Sequence, residues 1–209
     1  MTTTALIFLL FAVLHSVTVS DRFKKACRGL LGDTFMRVGY RFAYTIVSCA
    51  TLAVAVFCIN RVPDRTLWVP PQWLHWTMRG IQVAGAVFAV RAFEHLDGAG
   101  FLGIRQVWRY LVRGEVAGNN EGLTDRELVT TGVYGIVRHP IYFGGMLVMT
   151  FDPHLTINGL TLSVLADAYF LFGAFIEERR FLKVFNGQYQ DYMARVPWLF
   201  PRLVPRSRP

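Results

Sequence analysis

Two short runs hold most of the chemistry that this chain could perform. Val137-Arg138-His139-Pro140-Ile141-Tyr142 sets a guanidinium and an imidazole directly ahead of an apolar run. Ile176-Glu177-Glu178-Arg179-Arg180 sets two adjacent carboxylates at the end of another. Proline suits the first turn of a helix, where its missing N–H costs nothing. A helix starting at Pro140 would point the positive end of its dipole and its unpaired N–H groups at the polar boundary. With Arg138 and His139 beside it, that end is an anion site. Carboxylates at the mouth of an apolar helix are costly without partners. Glu177 and Glu178 therefore pair with Arg179, Arg180 or Lys183, bind a cationic ligand, or tie down Arg138 and His139. A pocket with one anion-binding and one cation-binding wall would suit a zwitterionic cofactor.

Other candidates are weaker. Gly98-Ala99-Gly100-Phe101-Leu102-Gly103 is formally a GxGxxG, but the dinucleotide fingerprint needs a strand before it and a helix after it. Here an apolar helix precedes it, so the glycines read as a flexible exit from that helix. In Ile104-Arg105-Gln106-Val107-Trp108-Arg109-Tyr110-Leu111, Ile104, Trp108 and Leu111 recur at helical spacing with Arg105 and Arg109 alongside. This is an interfacial amphipathic helix whose arginines meet headgroups, or one that offers Arg105 to a carboxylate. Cys27, Cys49 and Cys58 show no CxxC and no metal spacing. His15, His75, His95 and His154 also lack ligand spacing, so no metal is expected. His95, beside Glu94, is the histidine outside the motif most worth following.

The elements that position these groups are set by composition. Of 209 residues, 53% are apolar and 17% charged, and the formal charge is +8; mean hydropathy is +0.35. These values belong to membrane chains. Basic residues lie between apolar segments, not along a polar surface, which argues against nucleic acid and for anionic lipid. Membrane-scale segments run from about Thr4 to Val19, Tyr40 to Ile59, Trp73 to Phe93, Ile141 to Asp152 and Ile157 to Ile176; the first and fourth are short for a helix that needs about 20 residues. Ser20 to Arg41, Glu94 to Arg138 and Glu177 to Pro209 hold six, five and seven Lys and Arg, against two in the intervening loops. Five spans with the N-terminus outside put all three rich segments in the cytoplasm. Trp68, Trp73 and Trp76 then form an outer aromatic belt. The expected fold is all-α: a polytopic membrane protein with about five transmembrane helices and a cytoplasmic C-terminal amphipathic helix. It is one integral membrane domain over residues 1–209, with a three-helix part at 1–93 and a cofactor-binding part at 94–209. The helical stripe from Phe181 to Val196, interrupted at Asn186-Gly187, is expected to lie over the membrane face.

Leu128-Val129-Thr130-Thr131-Gly132-Val133-Tyr134-Gly135-Ile136 leads into the arginine–histidine–proline run. Together with the glutamate pair and the stretch ending Val196-Pro197-Trp198-Leu199-Phe200-Pro201, it resembles the isoprenylcysteine carboxyl methyltransferase-like superfamily. Upstream, His15-Ser16 and Gly103 to Trp108 are similar to bacterial methanethiol S-methyltransferases. The resemblance implies an integral membrane methyltransferase that uses S-adenosyl-L-methionine without a Rossmann domain. By position it assigns Val129, Gly132, Tyr134, His139, Pro140, Tyr142, Gly144, Glu177 and Glu178 to the cofactor. It gives Arg138, His139 and Glu178 catalytic roles, and Arg105, Gln106, Trp108 and His15 substrate-side ones. A small thiol, methanethiol becoming dimethyl sulfide, is the implied acceptor; an isoprenylcysteine carboxylate or a phospholipid amine is the alternative. A transport or assembly protein keeping the fold is the rival of another class. Thiols react as thiolates, so Arg138 or Arg105 would lower the thiol pKa and His139 or a glutamate would take the proton, the base staying open. The implied setting is the bacterial inner membrane.

Overall fold

The computed structural model describes residues 1–116 and 128–202. Its helices are α1 (Thr2–Val19), α2 (Asp21–Val38), α3 (Tyr40–Ile59), α4 (Gln72–His95), α5 (Gly98–Phe101), α6 (Ile104–Arg113), α7 (Pro140–Thr150), α8 (Ile157–Phe185) and α9 (Gly187–Arg195). Two short strands, β1 (Thr66–Trp68) and β2 (Leu155–Thr156), and a single 3-10 turn at Gly132–Gly135 complete the described residues. Among those residues three helices are long and apolar enough to cross a membrane: α1, α3 and α8. Helix α4 has 24 residues but carries Arg79 and Arg91. Helix α7 is apolar with 11 residues, about 16 Å of rise, half of a hydrocarbon core of about 30 Å. The chain is a helical membrane protein.

The chain divides into two compact units. The first takes in residues 1–64 and the described residues from 97 to 116, with α1, α2, α3, α5 and α6. Thr4, Phe8 and Ala12, four residues apart, form the buried face of α1. The Tyr40 hydroxyl donates to the Thr18 carbonyl, joining the start of α3 to the end of α1. Ser20 to Arg41, the basic segment between the first two expected spans, is mostly helix. Ser20 caps α2 by accepting from the Phe23 N–H at 3.3 Å, and Asp21 favours the positive first turn. Gly32 (φ 81°) kinks it. The glycine-rich exit after α4 is also ordered: Asp97 accepts from the Gly100 N–H at 3.1 Å to cap α5.

The second unit takes in residues 65–96 and the described residues from 128 onward, with β1, α4, the 3-10 turn, α7, β2, α8 and α9. Antiparallel β1 and β2 pair Thr66 with Thr156 and Trp68 with Leu155. They join the chain entering α4 to the chain entering α8. Lipid removes the hydrophobic drive between helices, so close packing depends on small residues. Gly85 and Ala89 of α4 meet Gly144 of α7, where an added Cβ would lie 2.5 Å from the Gly85 carbonyl oxygen and 2.9 Å from the Ala89 Cβ. The arginines of α4 are answered locally. Arg79 donates to Gln82 Oε1 at 2.7 Å and approaches His154 Nδ1 at 3.1 Å. Arg91 pairs with Glu94 at 2.9 Å. Tyr189, Tyr192 and Val196 pack with Leu128, with Phe181, Leu182 and Phe185 of the last turns of α8, and with Met193.

The α4–α7 contact has no room for a larger residue. Gly144→Leu is expected to cost about 1–3 kcal/mol, read as a lowered Tm of the detergent-purified protein; an unchanged Tm would show that the two helices can part there freely.

Candidate functional site

The second unit brings both charged runs together. His139 is the residue before α7 and Pro140 occupies its first turn. The backbone ahead is clamped to the chain after α9: the Arg138 N–H donates to the Pro197 carbonyl at 2.9 Å and the His139 N–H to that of Trp198 at 3.3 Å. Arg138 itself is 9% exposed. Its Nε donates to Glu178 Oε1 at 2.7 Å, and Nη1 donates to the carbonyls of Val196 at 2.7 Å and Met193 at 3.2 Å. The Tyr189 hydroxyl donates to Glu178 Oε1 at 3.3 Å. Thus one carboxylate oxygen and two C-terminal carbonyls hold the guanidinium. Of the three accounts of the glutamates, tying down Arg138 and His139 is what the geometry displays.

His139, 3% exposed, lies between both carboxylates. Nδ1 is 3.3 Å from Glu177 Oε2 and Nε2 is 3.4 Å from Glu178 Oε1. The second approach is too poorly aligned for a hydrogen bond and leaves Nε2 buried without a bonded partner, attracted to the carboxylate by charge alone. Burial pulls the imidazole pKa down, but Glu177 and Glu178 outweigh it and the net displacement is upward. Glu177 is 34% exposed at its side chain and presents the open edge of the cluster. The His139 ring stands 5.7 Å from that of Tyr142, which in turn stands 6.0 Å from Phe170.

The approach to α7 is equally constrained. Gly132–Gly135 forms a 3-10 turn, and the Tyr192 hydroxyl donates to the Tyr134 carbonyl at 2.6 Å. Burial, then the neighbouring Glu177 charge, pushes the Tyr134 phenol up, so it stays protonated. Gly132 has φ 61°, and any Cβ there would run into Nε2 and Cε1 of His95. His95 is oriented by its Nδ1, 2.7 Å from the Arg91 carbonyl.

The remaining sequence-derived candidates fall in three places. Val129 lies in the partly buried coil before the turn. Gly144 is the close-packing residue against α4. Arg105, Gln106, Trp108 and His15 belong to the first unit. There Arg105 pairs with Asp97 at 2.5 Å and Gln106 donates to the Gly100 carbonyl at 2.9 Å. Trp108 is 54% exposed, and His15 Nε2 lies 2.8 Å from the Tyr44 hydroxyl. Sequence reasoning missed Trp198, whose Nε1 is buried without a bonded partner. Its signal was its place in the Val196–Pro201 stretch of the resemblance, which assigns it no role. Buried polar groups are normally satisfied, so Nε2 of His139, beside the glutamate pair, and Nε1 of Trp198 are two buried nitrogens with hydrogen-bonding capacity to spare. Among the described residues no group of three or more His, Cys, Asp or Glu is placed to hold a metal.

Apolar helices long enough to cross a membrane, with a guanidinium–imidazole–dicarboxylate cluster held between the start of α7 and the last turns of α8, define an integral membrane protein with a charged site. The chain belongs to the NnrU protein family, whose pattern matches residues 3–183. It is similar to Methanethiol S-methyltransferase 2 of Bradyrhizobium diazoefficiens, 29% identical over 203 residues, 97% of this chain and 74% of that protein. It is similar also to the Methanethiol S-methyltransferases of Pseudomonas deceptionensis (26% over 209 residues, 95% and 71%) and Mycobacterium tuberculosis (25% over 197 residues, 91% and 74%). No solved structure matches the chain.

The His139 environment sets a sign. A pKa raised on folding means that the imidazolium stabilises the fold below its ordinary value of 6.5, and that this contribution disappears as pH rises through the folded value. The His139 resonance is expected to titrate above 6.5, and lower in Glu177→Gln; a wild-type midpoint at or below 6.5 contradicts the assignment.

Proposed function

We propose that the chain is an S-adenosyl-L-methionine-dependent methyltransferase of the membrane whose acceptor is a small thiol, methanethiol in the first instance. The observation that carries this is the closed cluster of Arg138, His139, Glu177 and Glu178 in a chain whose named relatives are methanethiol S-methyltransferases. When bound, the donor supplies an activated methyl on a cationic sulfur. The residues present suit it: Glu177 offers an exposed carboxylate edge to a cation, and the ring faces of Tyr142 and Tyr134 add cation–π attraction. His139 Nε2 and Trp198 Nε1 offer N–H groups to carboxylate or hydroxyl oxygens.

Each side chain has a distinct task in this proposal. Glu178 accepts from Arg138 and Tyr189 and fixes the floor. Arg138 is a positioning residue: its Nε and Nη1 are engaged by α8 and by the carbonyls of Met193 and Val196 at the end of α9, which supports a thiol over a carboxylate acceptor. His139 is biased by both glutamates toward its protonated form and serves as a donor, which leaves proton removal from the thiol to a group exposed to the pocket, Glu177 above all. Alignment of nucleophile and methyl is the main contribution of such a site. The proposed setting is the inner membrane with five spans: α4 and α7 complete the set, the N-terminus lies outside, and α9 and the pocket face the cytoplasm.

Purified protein in detergent, supplied with S-adenosyl-L-methionine and methanethiol, is expected to release dimethyl sulfide into the headspace. Glu178→Gln should lower cofactor affinity about 10-fold or more, as loss of a charged hydrogen-bond partner does. Absence of calorimetric binding at millimolar cofactor removes the methyltransferase proposal, whereas binding with a methyl ester or methylated lipid as product keeps the class and replaces the acceptor.

A further inference from the structure

Methyl transfer leaves one feature of the first unit without a task. Helix α6 carries Arg105, Arg109 and Arg113 four residues apart, so they line one face over about 12 Å. With Ala99, Ile104 and Trp108 they border a groove of about 330 Å³. Beside the arginines runs an apolar strip: Ile104, Trp108, Leu111 and Val112 are 47%, 54%, 76% and 59% exposed. Water would make that strip costly, at about 25 cal/mol per Å²; a bilayer interface would not.

The level of α6 is set by the spans of its own unit. Gly103, in the left-handed region at φ 82°, lies so close to α3 that a Cβ would collide with the Phe42 nitrogen. The Arg41 guanidinium sits 4.6 Å from the Phe101 ring centre and its Nε donates to the Phe101 carbonyl. Arg41 and Phe42 are in the first turn of α3, next to Tyr40, whose hydroxyl reaches the end of α1. Helix α6 therefore begins where two apolar spans end, at headgroup height.

The charges there are unequally answered. Asp97 neutralises Arg105 at 2.5 Å. Arg113 lies 3.9 Å from Glu115 in an exposed pair. Arg109 has no acidic partner among the described residues. Guanidinium binds phosphate through paired N–H donors. We propose that this groove binds the phosphate of an anionic phospholipid, held by Arg109 and Arg113, with the acyl chains along Ile104, Trp108 and Leu111. A soluble anion would use the arginines and leave the adjoining apolar strip unused.

The test uses the full chain reconstituted in phosphatidylcholine vesicles containing a minority of phosphatidylglycerol, extracted gently, with bound phospholipid measured by mass spectrometry. Phosphatidylglycerol should be enriched over its share of the vesicle. The enrichment should fall about 5-fold for Arg109→Gln or Arg113→Gln and about 20-fold for the pair. The corresponding lysine variants should keep most of it. Arg61→Gln, which removes a charge elsewhere on the same unit, should leave it unchanged. The single variants give the same readout where the double one does not fold. Equal recovery of both lipids, or enrichment that survives Arg109→Gln and Arg113→Gln, overturns the site. Equal loss in Arg61→Gln reduces it to general charge, and displacement by excess inorganic phosphate makes it a soluble-anion site instead.

Discussion

A guanidinium that is 9% exposed must be compensated, and the second unit is arranged around that requirement. Arg138 stands at the junction of the 3-10 turn and α7, and its partners come from the far end of α8 and from the chain leaving α9. Removing one member of such a pair strands a buried charge at about 3–5 kcal/mol, far more than the pair itself contributes net. The interaction therefore selects an arrangement more than it adds stability. It fixes where Glu178 sits, hence where the His139 ring can stand, hence which carboxylate is left at the open edge.

The same economy of partners runs through the rest of the unit. Tyr189 and Tyr192 deliver their hydroxyls to Glu178 and to the Tyr134 carbonyl, and pack their rings together with Val196. Polar contacts to the charged cluster and apolar contacts of the core thus come from the same short helix. On α4, Arg79 and Arg91 are each met by neighbours in their own unit, which lets a helix with two cations pack against α7 through glycine.

Much of this is legible in the amino-acid order, and the rest is not for physical reasons. Pro140 announces a helix start, and the adjacency of Arg138 with His139 and of Glu177 with Glu178 announces mutual need. The break at Asn186-Gly187 appears where the apolar stripe is interrupted; Asn186 adopts φ 43°. Helix α2 is hidden because Gly29 and Gly32 dilute its periodicity, and its basic residues read equally well as a loop. The β1–β2 pairing joins segments far apart in the chain, and no local pattern reports it. The carbonyls of Met193, Val196, Pro197 and Trp198 are invisible too, since every residue type has one and only the fold aims them. Trp198 was given no role for the same cause: its carbonyl accepts from the His139 N–H only because the fold brings the two together.

The clamp also orders events in time. Arg138 and the carbonyl of Val196 that it donates to are 58 residues apart. A chain made from its N-terminus completes α1, α3, α4 and α7 long before the acceptors for that guanidinium exist. Until the residues after α9 emerge, the arginine must remain hydrated and the start of α7 unfastened. The cluster around Arg138 is thus the last part of the second unit to close, and its closure reports that synthesis of the segment after α9 has been reached.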